Sequence, residues 1–298
     1  MQSVPCPICD DAGWKTIEVD GVSRVTRCDC WHQRSFEALL KSARIPRRYL
    51  HCEFSNFERH TDSQIDAFRR AVRIMEDFPV NEKGLLLYGD NGVGKTHLAV
   101  ALLRETIRRK AARGVFYETA ELLKLVRNTY NSSVEATELE VLEPVLHADI
   151  LVLDDLGREN KSAWVEEMLG IVINTRYNER RLTVCTSNLL DIDNTEPNSF
   201  AFQLGLRIRS RLKEMCQWVR MDGVDTRDVG PHPTANDITE WERSSPGSPK
   251  NRLTRKQQDD ARARNSLPQK TGGQARAQLK TRDGKADLKW PGGRAGSQ

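Results

Sequence analysis

No run of apolar residues approaches the roughly 18 needed to cross a bilayer. The opening MQSVPCPICDD has neither the basic nor the apolar stretch of a secretory signal. No internal similarity recurs at the spacing of about 20–50 residues that marks a solenoid. Nor are the 7 cysteines scattered like a secreted disulfide framework: four fall within the first 30 residues, while Cys52, Cys185 and Cys216 stand alone. These absences exclude membrane-spanning, secreted and repeat architectures. The expectation is a cytoplasmic protein that does not engage a membrane and whose clustered cysteines bind metal.

The chain is long enough for one sizeable α/β domain with small appendages, since single domains usually reach about 100–200 residues. Its charge is unevenly placed. Residues 244–298 hold 13 Lys or Arg against 4 Asp or Glu, a net of +9 in a chain whose whole charge is +4, which leaves −5 for residues 1–243. That stretch is also poor in aliphatics and rich in Gly, Gln, Arg and Lys, a composition that cannot bury enough apolar surface to fold. The expected organisation is a zinc-binding module over 1–34, a linker and the start of the main domain over 35–61, the main domain over 62–230, and a disordered basic tail over 231–298.

Within the middle region GLLLYG (84–89), GVFYE (114–118), DILVLD (149–154) and RLTVCTS (181–187) are short, β-rich apolar runs. Between them lie segments with apolar residues at helical spacing, THLAVALLRETIRRKAA (96–112), AELLKLVRNTY (120–130) and VEEMLGIVINTRYNER (165–180). Strands that alternate with helices predict an α/β fold, a parallel sheet covered on both faces.

Gly89-Asp90-Asn91-Gly92-Val93-Gly94-Lys95-Thr96 reads GxxxxGK[ST] and sits between a predicted strand and a predicted helix, where a phosphate loop must lie. The glycines let the backbone turn so that its N–H groups and the helix N-terminus face an anion. Lys95 is assigned to the β- and γ-phosphates of ATP and Thr96 to Mg²⁺, with His97 closing the ATP-binding set. Asp154 and Asp155 end an apolar strand, and open α/β sheets bind ligands at that end. On its own such a pair is more often a turn or a helix cap, but here it follows the phosphate loop. Asp154 is assigned to the Mg²⁺ shell and Asp155 to polarising the attacking water. Asn188, closing the next strand, is assigned to orienting that water or the γ-phosphate, against the plainer reading of a loop asparagine.

IPRRYLHCEFSNF (45–57), GDNGVGKTHLA (89–99), LVLDDLG (151–157) and TSN (186–188) resemble DnaC- and DnaI-type helicase loaders and the related IstB transposition ATPases. The resemblance covers roughly residues 1–221. It implies an AAA+ αβα domain with strand order 5-1-4-3-2 and self-association with ATP at subunit interfaces. It also implies that LRIRSRL (206–212) faces a neighbour's ATP, with Arg211 as the arginine finger and Arg207 one turn earlier on the same face. Two departures stand out. Asp155 occupies a place where many AAA+ members carry glutamate, although the Asp pair fits the loader branch, and no helical lid with its own arginine sensor follows residue 221.

Cys6 and Cys9, followed after 18 residues by Cys28 and Cys30, give C-x₂-C…C-x-C, four soft ligands at spacings compatible with tetrahedral Zn²⁺. Four thiolates close the shell, so the site is structural, and metal binding drives the folding of so small a module. The C-x-C half is tighter than usual. His32 is an alternative to Cys30 as fourth ligand, and a redox pair or unliganded thiols are the competing readings. By the resemblance the module binds the replicative helicase, and the segment 120–133 lies near single-stranded DNA. There Lys124, Arg127 and Tyr130 are candidate contacts, phosphate for the cations and base stacking for the tyrosine, against an ordinary amphipathic helix. The functional expectation is an ATPase that binds a replicative hexameric helicase and loads it onto single-stranded DNA. The alternatives are an IstB-like ATPase assisting a transposase and a non-catalytic nucleotide-binding adaptor.

Overall fold

The computed structural model of the protein describes residues 6–10, 12–19, 21–130, 137–230 and 234–244. A hairpin comes first: β1 (Trp14–Val19) pairs antiparallel with β2 (Val22–Arg27), Trp14 opposite Arg27. Helix α1 (Asp29–Ser42) starts from an extended Cys28 at its N-cap. It runs past residue 34, so the expected division between module and linker falls inside a helix. The physical reason is that the apolar side chains Phe36 and Leu39 of α1 pack onto the core of the main domain.

The main domain then proceeds through α2 (Asp62–Asp77), β3 (Gly84–Gly89), α3 (Lys95–Lys110), β4 (Gly114–Glu118), α4 (Thr119–Asn128), α5 (Glu138–His147), β5 (Ile150–Asp154), α6 (Ala163–Asn178), β6 (Leu182–Ser187), α7 (Phe200–Leu204), α8 (Leu206–Met215) and β7 (Cys216–Met221). Short helices α9 (Thr226–Val229) and α10 (Ala235–Ser244) follow. Helix starts obey local chemistry. Thr61 and Gln64 form a reciprocal capping box on α2, and Thr137 and Glu140 do the same on α5.

All five central strands are parallel, in the order β4-β5-β6-β3-β7. Counted within the sheet this is 2-3-4-1-5, which is the expected 5-1-4-3-2 taken from the other edge. Strand residues alternate between two buried layers, as a period of two requires. Leu86, Leu151 and Leu153 pack with α4, α5, α6 and α8 on one face. Leu85, Leu87, Ile150 and Val152 pack with α2 and α3 on the other. The sequence patterns placed four of these strands and missed β7, an edge strand in which buried Cys216, Val219 and Met221 are interrupted by half-buried Gln217 and Trp218 and by exposed Arg220. The expected disordered tail also needs correction at its start, because Ala235–Ser244 is helical. The rest of it, including 245–298, lies outside the described residues.

The chain leaves β3 through α3 toward β4 at the far edge and later returns to β6 beside β3. This reversal of direction opens a crevice at the C-terminal ends of β3, β5 and β6, where such sheets bind ligands.

Candidate nucleotide site and cysteine cluster

Three strand ends deliver the expected residues to that crevice. The loop after β3 turns through Gly94, whose φ of 91° suits glycine. A Cβ there would also stand 2.8 Å from the ring of Phe57. Lys95 follows at the first position of α3, buried, its ammonium donating to the carbonyls of Gly89 at 3.0 Å and Asp90 at 2.5 Å. Burial draws its pKa down to about 8. The loop's own carbonyls thus hold the ammonium where phosphate oxygens would compete for it.

Asp154 ends β5, 6% exposed, and burial pushes its carboxyl above the usual range. One of its oxygens accepts from Thr96 Oγ1 at 2.8 Å and from Thr186 Oγ1 at 2.6 Å. Asp155 comes next in a left-handed conformation, φ 56°, and its backbone N–H donates to the same Thr186 hydroxyl at 2.9 Å. Thr186 therefore joins the two aspartates, a role not assigned to it from the sequence. Asn188 Nδ2 donates to Asp155 Oδ1 at 2.9 Å, and Arg158 Nη1 lies 3.1 Å from Asp155 Oδ2.

A cleft of about 640 Å³ is lined by Asn91, Gly92, Gly94, Lys95, Thr96, His97, Asp154, Asp155 and Asn188, together with residues that pattern reasoning did not nominate, among them Arg48, Tyr49, Glu118 and Arg227. Arg48 and Tyr49 come from the IPRRYLHCEFSNF stretch, so that motif was the available signal for them. A second hollow of about 400 Å³ adjoins the cleft, lined by Phe57, Gln64 and Val93 and sharing Gly94, His97, Thr226 and Arg227 with it. His97 points its Nε2 at Glu53 O, 3.2 Å away, and Asn56 Oδ1, 2.9 Å away, fastening the 51–57 segment over the loop. Asn56 Nδ2 donates to His51 O, so its Oδ1 is an acceptor and His97 Nε2 is the donor.

Arg211 does not line its own chain's cleft. It is half-buried on α8, 5.6 Å from the Tyr177 ring, with Nη1 buried and without an acceptor among the described residues. Arg209 is paired with Asp191 at 2.6 Å, whereas Arg207 is exposed. Lys124, Arg127 and Tyr130 stand together on the exposed side of α4 and just beyond it, away from the cleft. Leu122, Leu123 and Val126 bury the opposite side. Arg127 covers the Trp164 ring at 4.5 Å, and Tyr130 lies edge-on to the same ring at 6.3 Å.

At the N-terminus the turn carrying Cys6 and Cys9 meets the end of β2, where Cys28 N donates to Gly13 O at 2.9 Å. The four sulfurs of Cys6, Cys9, Cys28 and Cys30 all lie within 4.8 Å of one another, with Cys6–Cys28 at 3.9 Å and Cys9–Cys30 at 3.2 Å. Four thiolates around Zn²⁺ at about 2.3 Å have sulfurs about 3.8 Å apart, so the donor set fits. Backbone N–H groups of Ile8 and Cys9 draw the Cys6 thiol down to about 7, which favours the thiolate a metal needs. The side chain of His32 lies outside the described residues. Cys52, Cys185 and Cys216 are buried away from this cluster.

Residues 25–222 match the sequence model of the IstB-like ATP binding protein family. Over 207 residues the chain is 28% identical to the replicative helicase loader DnaI of Bacillus subtilis (strain 168), covering 65% of this chain and 64% of that protein. Identity to the replicative helicase loader DnaC of Escherichia coli (strain K12) is 26% over 138 residues, 46% of this chain and 55% of that protein. The chain therefore spans less than two thirds of the length of these curated relatives. A crystal structure of the DnaC helicase loader superposes with a TM-score of 0.53 at 30% identity, covering 59% of this chain and 100% of that one. AMPPCP-bound DnaA from Aquifex aeolicus shares the fold, with a TM-score of 0.51 at 16% identity over 68% of this chain and 62% of that one. Sheet order and neighbours together make the core an AAA+ αβα sandwich. With the phosphate loop and the acidic pair meeting in one cleft, and a family match that runs from β2 to just beyond β7, the chain belongs to the IstB-like ATP-binding proteins.

Proposed function

We propose that this chain is an ATPase that binds a replicative hexameric helicase and delivers it onto single-stranded DNA, hydrolysing ATP at interfaces between its own copies. The observation that carries this reading is the division of the machinery. Lys95, Thr96, Asp154, Asp155 and Asn188 line one cleft, while Arg211 sits outside it on another element with a buried donor that has no acceptor among the described residues. The named function of its relatives, replicative helicase loading, supplies the biological setting.

In this reading the triphosphate lies along residues 89–96 and the base enters the adjoining hollow. Lys95 exchanges the carbonyls of Gly89 and Asp90 for β- and γ-phosphate oxygens. Thr96 and Asp154 suit Mg²⁺, two hard oxygens 2.8 Å apart at a buried carboxylate. The ion, when bound, supplies charge neutralisation on the phosphates. Asp155 accepts the proton of the attacking water, and Asn188 holds that carboxylate in place. Arg211 of a neighbouring copy meets the charge that develops on the γ-phosphate, which makes turnover depend on assembly.

Cys6, Cys9, Cys28 and Cys30 hold Zn²⁺ and organise the hairpin as the helicase-binding module. Ile8, Trp14, Val22 and Val25 are exposed there, an apolar surface that suits a protein partner. Lys124, Arg127 and Tyr130 contact single-stranded DNA, with Trp164 beside them as a further aromatic surface.

The test is ATP hydrolysis by wild type, Lys95→Ala and Arg211→Ala, each with and without single-stranded DNA. Stimulation by DNA that both substitutions abolish is expected. Activity that ignores DNA and survives Arg211→Ala means a self-contained nucleotidase, and hydrolysis under no assembly condition means an adaptor. A second reading, an ATPase that assists a transposase, draws on the IstB-like family itself. Capture of a transposase and no helicase by the purified chain would select it.

A further inference from the structure

Away from the four-cysteine cluster, a second group of metal-ligating side chains gathers beside the phosphate loop. A ligand atom from each of His51, Cys52 and His97 lies within 4.8 Å of the other two, and Cys52 Sγ stands 4.0 Å from His51 Nε2. Nitrogen and sulfur bound to one tetrahedral ion at about 2.1 and 2.3 Å are about 3.5 Å apart, so this pair is about half an ångström from coordination spacing. In the sequence Cys52 stands alone. Its partners come from the preceding residue and from the first turn of α3, which only the fold brings together.

Cys52 is 1% exposed and forms the inner member of the group, while His51 is exposed. His51 and His97 line the hollow that adjoins the nucleotide cleft, and His97 lines the cleft as well. Glu58 brings a carboxylate to the same hollow, which favours a cation there. Because His97 Nε2 carries the proton donated to Glu53 O and Asn56 Oδ1, the lone pair of the neutral ring is on Nδ1, and the two hydrogen bonds hold the ring in place. Three protein donors leave a fourth position for water, the pattern of an open ion site and not of a sealed one. Two imidazoles and a thiolate select a borderline cation such as Zn²⁺ over hard Mg²⁺, which the oxygens of Thr96 and Asp154 suit.

We propose that His51, Cys52 and His97 form a second Zn²⁺ site, separate from the four cysteines, that takes up the ion reversibly and latches the 51–57 segment to α3 at the edge of the nucleotide cleft. Binding forms one bond from each side chain to the ion and releases the Cys52 thiol proton to solvent, with no change of oxidation state. Without the ion the segment is tied to α3 by hydrogen bonds, those of His97 and those that Arg104 donates to Leu50 O and Cys52 O. Metal ligation adds a stronger tie at the wall of the hollow, so a bound nucleotide leaves more slowly. The ion site follows from its donors, and the effect on nucleotide release rests on the ATP reading of the cleft.

The experiment titrates the full chain as purified with Zn²⁺, and in parallel with Co²⁺, in wild type, His51→Ala, Cys52→Ser and Cys9→Ser. Wild type is expected to take up one equivalent above its content as purified. The added Co²⁺ should show the thiolate-to-cobalt absorbance of one sulfur, about a quarter of that of a four-cysteine site. His51→Ala, at an exposed position outside the core, and Cys52→Ser should each lose this equivalent, whereas Cys9→Ser should keep it. Release of a fluorescent ADP analogue should slow by about five-fold or more when zinc is added to wild type, and in neither His51→Ala nor Cys52→Ser. No added equivalent in wild type, or one that survives both substitutions, overturns the proposal. Zinc taken up at these residues with unchanged ADP release overturns the latch. Wild type that takes up this zinc but binds no nucleotide defeats the ATP reading, and the latch with it, while the ion site stands.

Discussion

Asn188 Nδ2 donates to one carboxylate oxygen of Asp155 at 2.9 Å, while Arg158 holds the other at 3.1 Å. The carboxylate proposed to take a proton from water is therefore oriented from two sides, by residues that end one strand and follow another. Replacing Asn188 with Ala should lower kcat on the order of 100-fold and leave ATP affinity close to that of wild type, because the lost contact serves the proton acceptor and not the phosphates. Steady-state hydrolysis together with nucleotide binding measures both. An undiminished kcat would remove Asn188 from the role of orienting that carboxylate.

Lys95 yields two slopes of opposite sign. Its pKa falls from an ordinary 10.5 to about 8 through burial. Below pH 8 the ammonium meets phosphate already charged, and above it a proton must be taken up on binding, so ATP affinity falls as pH rises past 8. Stability of the empty domain moves the other way. The unfolded chain keeps the proton up to about 10.5 and the folded one releases it near 8, so unfolding free energy rises across that interval. Nucleotide titrations and melting curves from pH 7 to pH 10 should show both trends relative to Lys95→Met, which lacks them.

Removing metal with a chelator should release one equivalent of zinc and loosen the hairpin and the start of α1, since Cys28 is the α1 N-cap and Cys30 lies in its first turn. The parallel sheet keeps its own core on both faces and should still melt cooperatively. Hydrogen exchange with and without chelator distinguishes the regions, and Cys9→Ser should match the chelated state. Uniform deprotection of sheet and hairpin together would contradict this division.

Arg176 is fully buried on α6 and spends its donors on the carbonyls of Val145, Leu146, Ala148 and Leu182 and on Thr183 Oγ1. It closes the last turn of α5, whose carbonyls have no helical partner. Arg176→Met should cost about 3 kcal/mol or more, because several buried acceptors lose their donor at once. Arg176→Lys should recover little, since an ammonium has fewer donors in a different geometry. Denaturant unfolding of both variants is the check.

Much of the site was legible because its chemistry is local. A phosphate-binding loop must present consecutive N–H groups, so residues 89–96 are contiguous, and β3 and β5 are buried on both faces and therefore read as near-continuous apolar runs, while β6 adds buried threonines and a serine to its apolar residues. Strand β7 was not legible, since an edge position lets Gln217 and Arg220 interrupt its apolar pattern. Helix α5 was missed for a different reason: Pro144 stands inside it, where the usual rule reads a break. The boundary at residue 34 followed cysteine spacing, but the packing of Phe36 and Leu39 carries the helix on.

From the chain alone came the parallel α/β class, the phosphate loop, the acidic pair and the four clustered cysteines, all of them set by neighbours in sequence. Which arginines reach the cleft was decided by the tertiary structure. Arg48 and Arg227 arrive from segments on either side of the sheet-forming region, Arg209 is consumed by Asp191, and Arg211 is turned away onto Tyr177. A guanidinium at the end of a long side chain carries no periodic signal, so its partner is set by which elements the core packs side by side.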